Sequence, residues 1–229
     1  MNLFSYGEPD TDETGDAGIR GYQPVSGRQS GGKSPIANVA ELPPAVGSEA
    51  APARVFWFMG RSAAGKSTLA SRLVSELRSC GRRVVQLDGD QWRAGLSKDL
   101  GFSAEARTEN HRRLAEVAKL ISDQGILVVV ASMAPLELHR ALAEKILEER
   151  VRWVFVDASL DTCIRRDPKR LYQQAQAGRV TQLLEFPFEP PVDRPALLRL
   201  VTDSESVQVS MDRLRSWMNL QLPSSRDIL

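Results

Sequence analysis

From Arg54 onward, continuous apolar runs alternate with stretches whose apolar residues recur every three or four positions. VFWFM (55–59), RRVVQL (82–87), ILVVVAS (126–132), RWVFVDA (152–158) and LLRLVTD (197–203) each predict a strand. Between them, Leu69, Leu73 and Leu77 predict one helix, Leu114, Val117, Ala118 and Ile121 a second, and LHRALAEKILEE (138–149) a third. Strands apolar throughout and separated by helices call for a parallel sheet covered on both faces, because each strand must then bury both of its sides. The expected class is a three-layer α/β domain with a mainly parallel five-stranded sheet. In such sheets ligands bind beyond the carboxyl ends of the strands, so Gly60, Asp88, Ser132 and Asp157 are expected on one rim.

The segment before this pattern is different. Gly7 to Pro52 is dense in Gly, Pro, Ser and acidic residues and has no sustained period, which predicts a disordered tail over 1–53 and a folded domain over 54–229. Lys+Arg 30 against Asp+Glu 29, a formal net charge of +1, gives no overall basic field and argues against nucleic-acid or anionic-membrane partners. Phosphate chemistry must then be local. No run is apolar and long enough to span a bilayer, the acidic start does not resemble a signal peptide, and Cys80 and Cys163 lack metal-ligand spacing, so a reduced, cytoplasmic setting is expected.

GRSAAGKS, comprising Gly60, Arg61, Ser62, Ala63, Ala64, Gly65, Lys66 and Ser67, matches the G-x-x-x-x-G-K-[ST] spacing, with a predicted strand before it and a helix after it. Small residues at Ser62, Ala63 and Ala64 let backbone N–H groups close around an anion at the positive end of the helix. Lys66 can reach the outer phosphates of a nucleoside triphosphate, and the Ser67 hydroxyl can ligate Mg²⁺.

LDGDQWR then ends the second strand with Asp88 and Asp90, and Arg93 follows one turn later. A carboxylate at a strand end facing the phosphate loop can orient an acceptor hydroxyl or a Mg²⁺-bound water, and an arginine can hold an anionic acceptor; an Asp-Gly turn with a helix cap is the plainer alternative. GFSAEARTENHRR places Arg107, Asn110, Arg112 and Arg113 near Phe102, which suggests either a flat anionic ligand, stacked and charge-clamped, or a solvated basic helix face. RRDPKRLYQQAQAGR (165–179) predicts a mobile helical flap, broken at Pro168, able to bring Arg165, Arg166, Lys169 or Arg170 over the phosphates.

The order of these motifs, the phosphate loop, LDGDQWRAGLSKDLGFS, R-x-E-N-x-R-R, D-P-K-R-L-Y and A-x-A-G, resembles the adenylyl-sulfate (APS) kinase family from about Val55 to Trp217. The resemblance implies a P-loop kinase that uses ATP and Mg²⁺ to phosphorylate the ribose 3′-hydroxyl of APS, giving PAPS in sulfate assimilation. It implies Asp88 and Lys66 as catalytic residues, Gly60 through Thr68 together with Arg166 around ATP, and Ser67 and Asp88 at the metal. It puts Asp90, Arg93, Phe102, Arg107, Asn110, Ser132, Ala134 and Leu183 around a small-molecule nucleotide acceptor, and a homodimer is an allowed assembly. Several positions depart from the family. Ser132-Met133-Ala134-Pro135 stands for F-I-S-P, Ala106 for an Asp, Arg170 for a Gly, and Leu183 or Leu184 falls where a second stacking aromatic is usual. Most of these changes lie on the acceptor side. Two further readings therefore stand beside APS kinase: a kinase of another nucleotide-linked anion, such as a cytidine-linked phosphoramidate, and a nucleotide-binding protein without turnover.

Overall fold

The structure, a computed structural model, describes residues 54–178, 187–192 and 197–221. The expected tail over 1–53 and the positions of Leu183 and Leu184 lie outside the described residues.

In chain order the elements are β1 (Val55–Met59), α1 (Lys66–Ser79), β2 (Val84–Asp88), α2 (Gly89–Ala94), α3 (Ala104–Asp123), β3 (Leu127–Ala131), α4 (Glu137–Leu147), β4 (Val151–Asp157), α5 (Leu160–Arg166), α6 (Leu171–Gln176), β5 (Leu197–Val201) and α7 (Val207–Gln221). The five strands form one sheet in the order β2-β3-β1-β4-β5, and every adjacent pair is parallel. All five expected strands are present, with ends shifted by up to two residues.

Alternating side chains of the sheet feed two separate apolar layers. Phe56, Phe58, Val129, Val154 and Val156 pack against Leu69 and Leu73 of α1 and Met211, Leu214 and Met218 of α7. Val55, Trp57, Val128, Val130 and Trp153 face Leu114 and Ala118 of α3 and Ala143 and Leu147 of α4. Every residue of β1 and of β3 is buried, which is why these strands read as unbroken apolar runs. The edge strands β2 and β5 are only partly covered.

This layering positions the site. After β1 the chain passes into α1 on one face of the sheet, whereas after β3 it passes into α4 on the other. Adjacent parallel strands whose connections leave to opposite faces open a crevice between their carboxyl ends. The crevice is closed at its base by the Gly60 N–H donating to Met133 O (3.2 Å) and the Ser132 N–H donating to Phe58 O (3.1 Å).

Candidate active site

The phosphate loop joins β1 to α1. Gly60 has φ 142°, and a Cβ there would lie 2.3 Å from the Val156 carbonyl oxygen, so only glycine fits as the loop leaves the sheet. Gly65 caps α1 with φ 107°, a conformation that side chains rarely adopt. Ala63 also has positive φ, 62°, and carries the strain that a Cβ imposes there. The loop is held from outside as well. Tyr172 of α6, itself buried, donates to Ser62 O (3.1 Å), and Thr202 after β5 donates to Ala64 O (2.9 Å).

Lys66 donates to Arg61 O (2.6 Å). Burial pulls its ammonium down to about 8, Lys169 adds to the effect, and Cys163 and Asp88 oppose it. Bound phosphates would supply the counter-charge that restores the proton's hold. Ser67 donates to Asp88 Oδ2 (2.7 Å), while Asp88 Oδ1 accepts from the Asp90 N–H (3.0 Å). The carboxylate thus caps α2 and faces the phosphate loop at once. The adjacent Ser67 hydroxyl and Asp88 carboxylate are hard oxygen donors suited to a Mg²⁺ that takes its remaining ligands from phosphates and water. Among the described residues no group of three or more His, Cys, Asp or Glu could hold a metal ion by itself.

Around these groups lies a cleft of about 730 Å³. Ser62 through Leu69 line its phosphate-loop side with Arg166, Thr202, Glu205, Val207 and Ser210. Arg166 is fixed there, donating to Ala64 O (3.4 Å), Thr202 Oγ1 (3.3 Å) and Thr202 O (2.6 Å). The remainder is lined by Asp90, Arg93, Phe102, Arg107, Asn110, His111, Ser132, Met133 and Pro135, among others. Phe102 is 54% exposed. The guanidinium carbons of Arg93 and Arg107 lie 4.6 and 5.7 Å from its ring centroid. Arg93 donates to Gly101 O (3.0 Å) and Arg107 to Phe102 O (2.9 Å). Burial lowers the pKa of each guanidinium, and Arg93 adds to the effect on Arg107, so an anion placed here would relieve crowded positive charge. Asn110, 2% exposed, has its Oδ1 buried without a hydrogen-bond partner. Across the cleft mouth, Lys169 from the stretch before α6 pairs with Asp90.

Several expectations change in three dimensions. Arg112 and Arg113 do not join Arg107 at Phe102: Arg112 binds Glu109, and Arg113 binds Glu109, Asp99 and the Leu96 carbonyl. Residues three and four apart share a helix face, so of α3 only Arg107, Asn110 and His111 face the cleft, while Arg112 and Arg113 point elsewhere. Gly60 and Arg61 contribute to the loop's backbone but do not line the cleft. Ala134 is buried beneath the cleft wall with φ 41°, its carbonyl accepting from Arg140 (2.9 Å), while Met133 and Pro135 form the surface. Asp157 shares the strand-end rim, but its Oδ2 is engaged by Arg199 (2.6 Å) outside the cleft. The 165–178 stretch is helical on both sides of Pro168, and Asp167 caps α6 by accepting from the Leu171 (2.8 Å) and Gln173 (3.0 Å) N–H groups.

Sequence reasoning missed His111. Its ring stacks on His139 with centroids 4.3 Å apart and 8° between planes, and on Trp57 at 6.3 Å. His111 Nδ1 lies 2.7 Å from Arg107 O and so carries the proton, leaving Nε2 to accept from Ser132 Oγ (3.5 Å). Burial drives His111 down to about 3, with His139 and the two arginines contributing; burial, Arg107 and Arg140 drive His139 to about 4. Both rings are neutral at pH 7. The cleft-lining residues Thr202, Glu205 and Val207 were also missed, although their place beyond the last strand is where the strand-end rule points.

A parallel sheet in this order, a phosphate loop at its crevice and a strand-end carboxylate bonded to the loop's serine define the P-loop class of α/β domain. Residues 52–198 match the adenylylsulphate kinase family pattern, and the chain belongs to that family. The chain is 44% identical over 167 residues to an adenylyl-sulfate kinase of Paraburkholderia xenovorans, an alignment spanning 72% of this chain and 92% of the relative. It is 40% identical over 168 residues to the bifunctional enzyme NodQ of a Rhizobium strain; the match spans 72% of this chain but only 26% of NodQ, so the chain spans about a quarter of those relatives. Among solved structures, the Mycobacterium tuberculosis APS kinase CysC in complex with AMPPNP and APS superposes with a TM-score of 0.69 at 39% identity, covering 73% of this chain and 98% of CysC.

Proposed function

We propose that this protein transfers the γ-phosphoryl group of ATP to the ribose 3′-hydroxyl of adenylyl sulfate, giving PAPS. One observation carries the mechanism: the Ser67–Asp88 hydrogen bond sets a strand-end carboxylate directly against the phosphate loop, beside Ser67 and Gly89, which line the cleft that also holds Phe102 and its two arginines. The backbone of residues 60–65 and the start of α1 cradle the triphosphate. Lys66 leaves the Arg61 carbonyl for the outer phosphates and neutralises charge that grows on the transferring group. Phe102 stacks on the acceptor base, and Arg93, Arg107 and Asn110 hold its anionic end. Asp88 accepts the proton of the acceptor hydroxyl at a carboxylate oxygen as that hydroxyl attacks. Ser67 and Asp88 would hold a Mg²⁺, which would supply electrostatic compensation for the phosphate charge. Lys169 and the segment before α6 restrict water at the mouth.

Asp88→Asn tests this. Asparagine keeps a side-chain oxygen for the α2 cap but accepts a proton poorly, so fold and AMPPNP affinity persist while turnover of ATP with APS falls by about 10²–10⁴. Near-normal turnover in the variant would refute the base assignment. The same assay run with CDP- and UDP-linked anions distinguishes APS from another nucleotide-linked acceptor.

A further inference from the structure

Arg61 stands in the phosphate loop, yet its side chain leaves the loop on the side away from the cleft. Its guanidinium carbon lies 4.9 Å from the centroid of Phe188. Phe188 stacks in turn on Phe155 of β4, with centroids 5.9 Å apart and 16° between planes. Arg199 of β5 covers Phe155 at 6.0 Å and is itself anchored by Asp157. These four side chains form a ladder along a small cavity of about 160 Å³ behind the loop.

The next residue points the other way. The Glu189 N–H donates to Pro135 O (2.8 Å), and the Glu189 carboxylate accepts from the Glu137 N–H (2.7 Å). Pro135 and Met133 line the acceptor end of the cleft, and between them Ala134 sits in a strained left-handed conformation. A strained turn keeps its shape only where its surroundings over-determine it. Here Arg140 holds the Ala134 carbonyl from one side and Glu189 holds Pro135 from the other. Residues 187–192 therefore tie the phosphate loop, through Phe188, to the acceptor wall, through Glu189.

We propose that Arg61 is a positioning residue for the acceptor: by clamping Phe188 it fixes Glu189, and through Glu189 it fixes the Met133–Pro135 wall against which the acceptor nucleotide lies. The inference rests on the acceptor end assigned above. A side chain of the donor loop thereby acts on the second substrate, while the loop's backbone, with Lys66 and Ser67, serves the phosphates. Lysine at 61 would keep the charge but lose the flat face that stacks on a ring.

Calorimetric titrations of AMPPNP, and of APS, into wild type, Arg61→Leu, Phe188→Leu and the double variant test the link. Each single variant should weaken APS binding about three- to fivefold, the factor that follows from losing one cation–π contact. The double variant should be no weaker than either single variant, and AMPPNP affinity should stay within about twofold. Arg61→Lys should recover part of the loss. Weakened AMPPNP binding with unchanged APS binding in Arg61→Leu, or additive losses in the double variant, would overturn the proposal. Amide hydrogen exchange gives an arm independent of any acceptor: the Glu189 and Glu137 N–H groups should exchange about fivefold faster in Arg61→Leu, and unchanged rates would overturn the clamp. If wild type fails to bind APS, the substrate assignment falls while the exchange arm still decides the clamp.

Discussion

Phe102→Ala separates a ligand platform from a structural phenylalanine. The ring is 54% exposed and belongs to neither apolar layer, so its truncation does not open a core cavity of the kind that costs about 3–5 kcal/mol. What the fold loses is the stacking of Arg93 and Arg107, about 0.5–1 kcal/mol each at a surface site. Both arginines stay anchored, because Arg93 bonds the Gly101 carbonyl and Arg107 bonds the carbonyl of residue 102 itself, which alanine retains. The two arginines therefore keep their places and only the stacking surface disappears. A base on an aromatic ring is worth about 1–3 kcal/mol, and with two guanidiniums already against this ring the lower part of that range applies, an affinity loss of about 5- to 30-fold. Calorimetry with APS and with AMPPNP, together with a thermal melt, reads all three quantities. APS affinity should fall by that factor, AMPPNP affinity should hold, and the melting temperature should drop by only about 3–6 °C. A variant that loses more than about 10 °C, or one that binds APS as wild type does, would refute the stacking role.

Ala63→Gly removes a Cβ from a φ of 62°; relief of about 1–2 kcal/mol, less the added freedom of an unfolded glycine, should leave a net gain of about 0.5–1 kcal/mol, seen as a melting temperature roughly 2 °C higher. His111 should make the fold acid-sensitive: above pH 6.5 the ring is neutral folded and unfolded, and as pH falls toward about 3 only the unfolded chain takes up the proton, so stability declines by about 3 kcal/mol between pH 6.5 and 4. Urea melts of wild type and His111→Leu across that window should show a flatter profile in the variant, and parallel profiles would contradict the buried neutral ring. A chain beginning at residue 51 should keep wild-type turnover and melting temperature, because every core residue of the described structure lies between Val55 and Met218; a large drop in either would mean that the tail contributes to the folded domain.

The sheet, its five strands and the phosphate loop were legible in the sequence because their signals are local. A strand buried on both faces must be apolar along its length, as VFWFM and LVVVA are, and a loop that wraps an anion needs its glycines, lysine and serine at set spacing within eight residues. Asp88 was legible for the same reason, since a strand end and a helix start are both written in LDGD. Tertiary structure alone decided where the long side chains go. Arg107 and Arg113 sit on the same helix, yet one turns to Phe102 and the other to Asp99, according to which partner the fold brings within reach. Arg61 leaves the phosphate loop for Phe188, and Thr202 meets Ala64 across 138 residues of chain. The His111–His139 stack likewise needs α3 and α4 side by side on one face of the sheet. Periodicity specifies which face of an element is buried, but a flexible charged side chain takes its direction from neighbours distant in sequence, and those neighbours exist only once the layers have packed.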